Sequence, residues 1–203
     1  MGHAMTSPAT PDRVQPWHLT NRFDPRGCLL ADRHYTRQTV GSNQFMPSGE
    51  ALVLITEAGD AVWGSSWQIA KDGTLMAVHD WPRAWICSIF RNESTTLSSD
   101  LVRAAVAATR HCWGTPPEQG FVSFVDADKV RHKRDPGRCY LKAGWKRVGE
   151  TKSGKVALQL PPEDFPNPDP PLGGSWRLMD LPERRPYTGQ RKHIGGPVAA
   201  TRS

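Results

Sequence analysis

Hydrophobic and polar positions alternate between two periods along this 203-residue chain. Ala51–Thr56 (ALVLIT) is a continuous apolar run of strand length, and Glu57–Asp60 (EAGD) reads as a turn. A second run at Ala61–Ala70 completes a predicted β-hairpin. After a Lys71–Thr74 turn, Ala84–Phe90 (AWICSIF) is apolar on both faces, which predicts a strand in the middle of a sheet. The period then changes. Leu101, Val102, Ala105, Val106 and Cys112 fall at helical spacing and predict a helix over 98–113. Ser98 or Ser99 would cap it, Asp100 suits its first turn, and Gly114-Thr115-Pro116-Pro117 would stop it. A fourth strand is predicted at Gly120–Ala127, a short helix at Cys139–Trp145 and a last strand at Lys155–Leu160. Cys28–Tyr35 reads as a short helix or turn, followed by a Gly/Ser/Asn/Pro loop over 37–49.

The ends differ from this middle. Residues 1–25 are polar with four prolines and read as an arm docking through Trp17 and Phe23. Met1–Met5, with its second methionine close behind the first, is set aside as a cloning remnant. From Pro161 onward the chain is rich in Pro and Gly and is not expected to build a core of its own. The predicted organisation is an N-terminal arm at 1–25, one α/β domain at 26–160 and a Pro-rich basic C-terminal extension at 161–203.

Composition narrows the function classes. No apolar stretch is long enough to cross a membrane and no apolar leader core opens the chain, so a cytoplasmic protein without a membrane partner is expected. The four cysteines, Cys28, Cys87, Cys112 and Cys139, form no CxxC pair and no zinc spacing, and read as reduced thiols. The net charge of +6 is concentrated: 126–150 and 176–203 each carry a net +4. Such patches suit a polyanionic partner, nucleic acid or the phosphates of a nucleotide cofactor, although a solvated basic face explains them nearly as well. Trp113, Tyr140, Trp145, Trp176 and Tyr187 interleave with the basic residues, as stacking on an extruded base would require.

Candidate chemistry sits at strand ends and in the short helix. Tyr140 is a candidate general acid for a leaving group, or a packed aromatic residue. Asp126 at the end of the fourth strand is a candidate base, or a turn aspartate with Asp128 as its competitor. Arg91, just past the buried strand, suits a phosphate, or an ion pair with Glu93 or Asp126. His34 and Tyr35 precede the Gly/Ser loop. His34 could act as a base or join Asp126 on a metal, but a metal needs three or more ligands and none is predicted.

Several of these segments resemble a known superfamily. The order strand, helix, strand, short helix, strand resembles the GNAT acyltransferases, and Tyr140-Leu141-Lys142-Ala143-Gly144-Trp145 is similar to the aromatic-x-x-x-Gly-aromatic ending common there. His34-Tyr35-Thr36-Arg37, Ile89–Ser94, Ser123–Asp126 and Gly137–Gly149 resemble, in order and spacing, motifs of the Mom-type phage DNA-modification proteins. One segment departs from ordinary GNAT enzymes: Arg91–Thr96 has no glycine where they carry a Gly-rich pyrophosphate loop.

The resemblance implies a GNAT-like mixed sheet flanked by helices and a DNA base modification enzyme. That enzyme would add an acyl-derived group to a base amino nitrogen of duplex DNA, in a phage-infected or prophage-bearing bacterium, and so protect the DNA from restriction. It implies catalytic roles for Asp126, Tyr140, His34 and Tyr35. Arg91, Asn92, Ser94 and Ser123 would hold acetyl-CoA or a related acyl donor. Arg37, Lys129, Arg131, Lys133, Arg134 and Arg138 would contact DNA. It leaves a homodimer open. A generic acetyltransferase on a small amine or protein, and a non-catalytic nucleic-acid-binding protein on the same scaffold, are the alternatives.

Overall fold

The computed structural model describes residues 15–47, 49–68, 81, 83–130 and 135–173. They form a mixed α/β fold around one seven-stranded sheet. The strands are β1 (Trp17–Thr20), β2 (Glu50–Thr56), β3 (Ala61–Trp67), β4 (Trp85–Asn92), β5 (Phe121–Val125), β6 (Lys146–Glu150) and β7 (Val156–Leu160). Three helices join them: α1 (Pro25–Asp32), α2 (Ser98–Trp113) and α3 (Arg138–Lys142). The spatial order is β1-β2-β3-β4-β5-β7-β6, so the doubly apolar β4 takes the middle of the sheet.

Strand alternation splits the core between the two faces. Leu52, Leu54, Ala61, Trp63 and Cys87 join α2, Tyr140 of α3 and Trp145 in the larger cluster. Val53, Val62 and Ile89 pack with Leu30 and Ala31 of α1 and with Met46 on the other face. Cys87 and Ile89 are two residues apart yet lie on opposite faces. The register against β3 runs Gly64↔Ile89 and then Ser65↔Cys87, so Ser88 is an extra residue in β4. Such a bulge inverts the alternation and bends the strand.

Every neighbouring pair is antiparallel except β4 and β5. That parallel pair is matched at only three positions, Trp85↔Phe121, Ile86↔Val122 and Cys87↔Ser123. Beyond Cys87 and Ser123 the two strands part, on the side from which α2 and α3 depart.

Both predicted boundaries of the 26–160 domain are corrected. Trp17, placed in an arm by its polar surroundings, is fully buried in edge strand β1 and donates its indole N–H to the Leu101 carbonyl at 3.0 Å. Phe23, its expected partner in docking, is 60% exposed. At the other end, Phe165 is buried against Trp85 and Phe121. Leu172 then exchanges two main-chain hydrogen bonds with β1, its N–H to Trp17 O at 2.7 Å and its carbonyl to Leu19 N–H at 3.0 Å. The 161–173 segment thus adds to the existing core. The predicted arm before Gln15 and the extension after Gly173 lie outside the described residues.

Two local expectations also change. The 120–160 region holds one more strand than predicted, β6, whose five residues are all exposed; a sheet edge with polar residues on both faces carries no period-2 signal. Neither Ser98 nor Ser99 is the cap of α2. Leu97 holds that position without a side-chain bond, and the Asn92 amide reaches the loop instead, donating to Thr96 O at 2.8 Å and to Ser98 Oγ at 3.0 Å.

Candidate functional site

Where β4 and β5 part, they leave a cleft of about 910 Å³. Its walls come from β4 (Cys87–Asn92), β5 (Ser123–Val125), the residues after α1, the start of α2, and Lys129, Val130, Asp135 and Gly137 ahead of α3. Arg33, Arg91, Lys129, Arg138 and Lys142 line it against one acid, Asp135. The cleft therefore carries a positive field suited to an anionic ligand.

Its floor is neutral and dry. Tyr140, 7% exposed, is held between the edge of Phe90 (centroids 6.2 Å apart) and Trp145 (5.0 Å). Gly137 sets this geometry from below. It takes the left-handed conformation at φ 80°, and its carbonyl accepts the N–H of Tyr140 at 2.9 Å and of Leu141 at 3.2 Å. The Tyr140 hydroxyl lies 3.3 Å from Cys87 Sγ, and Ser123 hydrogen-bonds both groups. Burial pushes the Cys87 thiol up to about 12 and the Tyr140 phenol well above its ordinary value. Both are fully protonated at neutral pH.

Tyr35 and His34 form one wall. Tyr35 packs against the main core, and the Asp126 main chain hydrogen-bonds its phenol; burial raises its pKa. His34 stacks on Tyr35 with ring centroids 4.4 Å apart and planes 30° apart. The Thr36 N–H donates to His34 Nδ1 at 3.3 Å, with the Thr36 hydroxyl 2.7 Å from the same atom. Accepting at Nδ1 puts the hydrogen of the neutral ring on Nε2. That leaves Nδ1, the basic nitrogen of this tautomer, engaged by Thr36, which does not suit the base role. Asp126 does not line the cleft; its carboxylate accepts the Lys129 N–H at 3.1 Å, the turn role kept open for it from sequence.

The four residues expected to hold a donor separate into two kinds. Ser123 is on the floor. Arg91, Asn92 and Ser94 organise the rim and the loop before α2. The Arg91 Nε donates to Glu93 at 2.6 Å, and one terminal nitrogen donates to the Arg33 carbonyl at 2.5 Å. Asn92 Oδ1 accepts the Ser94 N–H at 2.9 Å and its hydroxyl at 2.6 Å. This side-chain lattice shapes the turn that glycines would otherwise shape.

Of the residues expected to meet DNA, Lys129 and Arg138 line the cleft. Arg37 does not fit that role. Its guanidinium, 8% exposed, is spent on Asp32 at 2.7 Å and on the carbonyls of Gln44 at 2.8 Å and Ser42 at 2.6 Å, and it clamps the loop after α1. Arg131, Lys133 and Arg134 lie outside the described residues.

Sequence reasoning missed Cys87, Cys139 and Arg33. Cys87-Ser88, small and polar inside an otherwise apolar central strand, was the available signal; nothing marked Arg33 apart from its place beside His34. Among the described residues no three His, Cys, Asp or Glu side chains converge as a metal site, and no helix is long and apolar enough to cross a membrane. Comparison of the chain with protein-family models, with curated proteins and with solved structures returns no match.

Proposed function

We propose that this protein is a GNAT-like acyltransferase that modifies an amino nitrogen of a DNA base, in the manner of the Mom-type proteins its motifs resemble. One observation carries the reading: the central parallel pair, β4 and β5, diverges after three matched positions into a basic cleft with a buried phenol on its floor. The strand order and the placing of α2 and α3 support a GNAT-like scaffold. The five cationic residues on the lining favour a polyanionic acceptor over a small amine.

A bound acyl thioester supplies an activated carbonyl, and its residence in this cleft is part of the proposal. Leu97, Ser98 and Ser99, at the start of α2, line the same cleft and suit its phosphates. Tyr140 gives its proton to the departing sulfur as the C–S bond breaks and the C–N bond forms. Burial makes the resulting phenolate strongly basic, so it takes a proton from the acceptor nitrogen and the phenol is restored. Ser123 and Cys87 hold the hydroxyl in place. This shuttle returns Tyr140 to its starting state and leaves Asp126 and His34 out of the proton path. Tyr35 and His34 instead offer an aromatic wall for an extruded base.

The test is nucleoside mass spectrometry on DNA from cells expressing the protein, against an empty vector. A new modified nucleoside that disappears with Tyr140→Phe is the expected result. An unchanged nucleoside profile together with turnover of acetyl-CoA on a small amine would replace this reading with the generic acetyltransferase.

A further inference from the structure

The rim of the cleft holds a charge cluster that the proton shuttle does not use. Arg33, immediately after α1, approaches Glu93 side-on, with Nε to Oε1 at 2.8 Å and a terminal nitrogen to Oε2 at 2.6 Å. Arg91, near the end of β4, donates its Nε to the same Oε1 at 2.6 Å. Its second bond, to the Arg33 main chain, ties the end of α1 to the end of β4. Two guanidiniums thus share one carboxylate and leave a net positive charge at the mouth. A guanidinium carries five N–H donors, so each retains donors beyond those spent here. The cluster is open to water, with 49% of the Arg33, 29% of the Arg91 and 33% of the Glu93 side chain exposed. The two arginines hold Glu93 ionised down to about pH 2. Next in sequence to Arg33 stands the His34–Tyr35 stack.

A planar fork of N–H groups matches a carboxylate and a phosphate alike. We propose that Arg33 and Arg91 form a phosphate clamp for the nucleotide whose base enters the His34–Tyr35 side of the cleft, and that Glu93 occupies this clamp until phosphate displaces it. The inference rests on the nucleic-acid reading above and deepens it. It assigns Arg33 a ligand and makes Glu93 an internal competitor that pre-aligns both guanidiniums. An acyl donor of the nucleotide type also carries phosphate, so the source is decided by experiment.

Binding of a fluorescein-labelled DNA duplex by anisotropy, and of coenzyme A by calorimetry, are measured for the purified wild-type chain and for Arg33→Ala, Arg91→Ala and Glu93→Gln. Each alanine variant is expected to weaken one of the two ligands about tenfold, the loss of a charge-assisted hydrogen bond. Glu93→Gln is expected to tighten the same ligand several-fold and to steepen its salt dependence, an effect that a merely structural Glu93 would not give. Loss confined to the duplex places a backbone phosphate in the clamp, as proposed; loss confined to coenzyme A places a donor phosphate there and overturns the assignment to the entering nucleotide. Affinities within twofold of wild type for both ligands in both alanine variants overturn the clamp, as does failure of the wild type to bind either ligand. Modification assays are not part of this readout, so the clamp and the acyl-transfer reading fail separately.

Discussion

The floor and the rim of the cleft are built from opposite physical materials. On the floor, Tyr140, Cys87 and Ser123 are almost wholly buried, uncharged and satisfied by one another. At the rim, Arg33, Glu93 and Arg91 are ionised and wet. Burial raises the pKa of the floor groups away from neutrality, whereas ion pairing lowers that of Glu93. A site that must move a proton benefits from a dry phenol whose ionised form is strongly basic. A site that must catch a polyanion benefits from charges that water can reach and salt can screen. In the proposed reading, the two ends of one cleft divide chemistry from recognition.

That division can be broken most severely at Tyr140. Tyr140→Phe keeps the ring between Phe90 and Trp145 and removes only the hydroxyl. DNA modification is expected to fall by about 10²–10⁴, the usual contribution of a positioned proton donor, with the thermal midpoint nearly unchanged. Modification at the wild-type rate would remove Tyr140 from the chemistry. The dryness of the floor is tested by alkylation. A thiol at about 12 rather than the ordinary 9 holds roughly a thousandfold less thiolate at pH 8. Cys87 should therefore resist iodoacetamide in the folded protein and react once it is unfolded, as read by peptide mass spectrometry. Labelling of Cys87 at the rate of an unfolded thiol would mean an open floor.

Smaller effects separate the supports of each end. A Cβ on Gly137 would come within 2.3 Å of the buried Leu158 Cδ1, at a φ of 80° that side chains rarely adopt. Gly137→Ala should cost about 1–3 kcal/mol in urea unfolding and should also slow modification, because the Gly137 carbonyl orients Tyr140. Unchanged stability would show that the turn can relax. The smallest effect belongs to the rim. The Glu93 pKa is depressed in the fold from 4.5 to about 2, so its stabilisation is present above about pH 4.5 and is lost as pH falls through 2. Exposure limits this to about 0.2–1 kcal/mol. Urea midpoints at pH 6 and pH 2.5 should differ less in Glu93→Gln than in wild type; equal differences would mean the ion pairs contribute nothing to stability.

Elements buried by their own residues were legible before the structure. β2, β4, α2 and β7 declare themselves through continuous apolar runs or helical spacing, and α2 begins and ends where that spacing does. β1 and β6 were not legible. Each is a short edge strand of four or five residues, and β6 has no buried side at all. For the site, Tyr140 was readable from its motif and Arg91 from its strand end, with Glu93 named as a partner for Arg91. Arg37 and Asp126 show the opposite case. Both sit at positions that suit function, and local hydrogen bonds claim them instead. A motif reports which residues are near in the chain and says nothing of which carbonyl or N–H reaches them first.

The amino-acid sequence by itself determined that strands flank a 16-residue helix, that β4 is central and that positive charge gathers around 126–150, because burial periodicity and net charge are local sums. Only the tertiary structure decided that Ser88 is a bulge, that β4 and β5 part beyond Cys87 and Ser123, and that Arg33 and Arg91 meet over Glu93. Those outcomes depend on register and on contacts between segments far apart in the chain, and no local pattern encodes a register until the partner strand is in place.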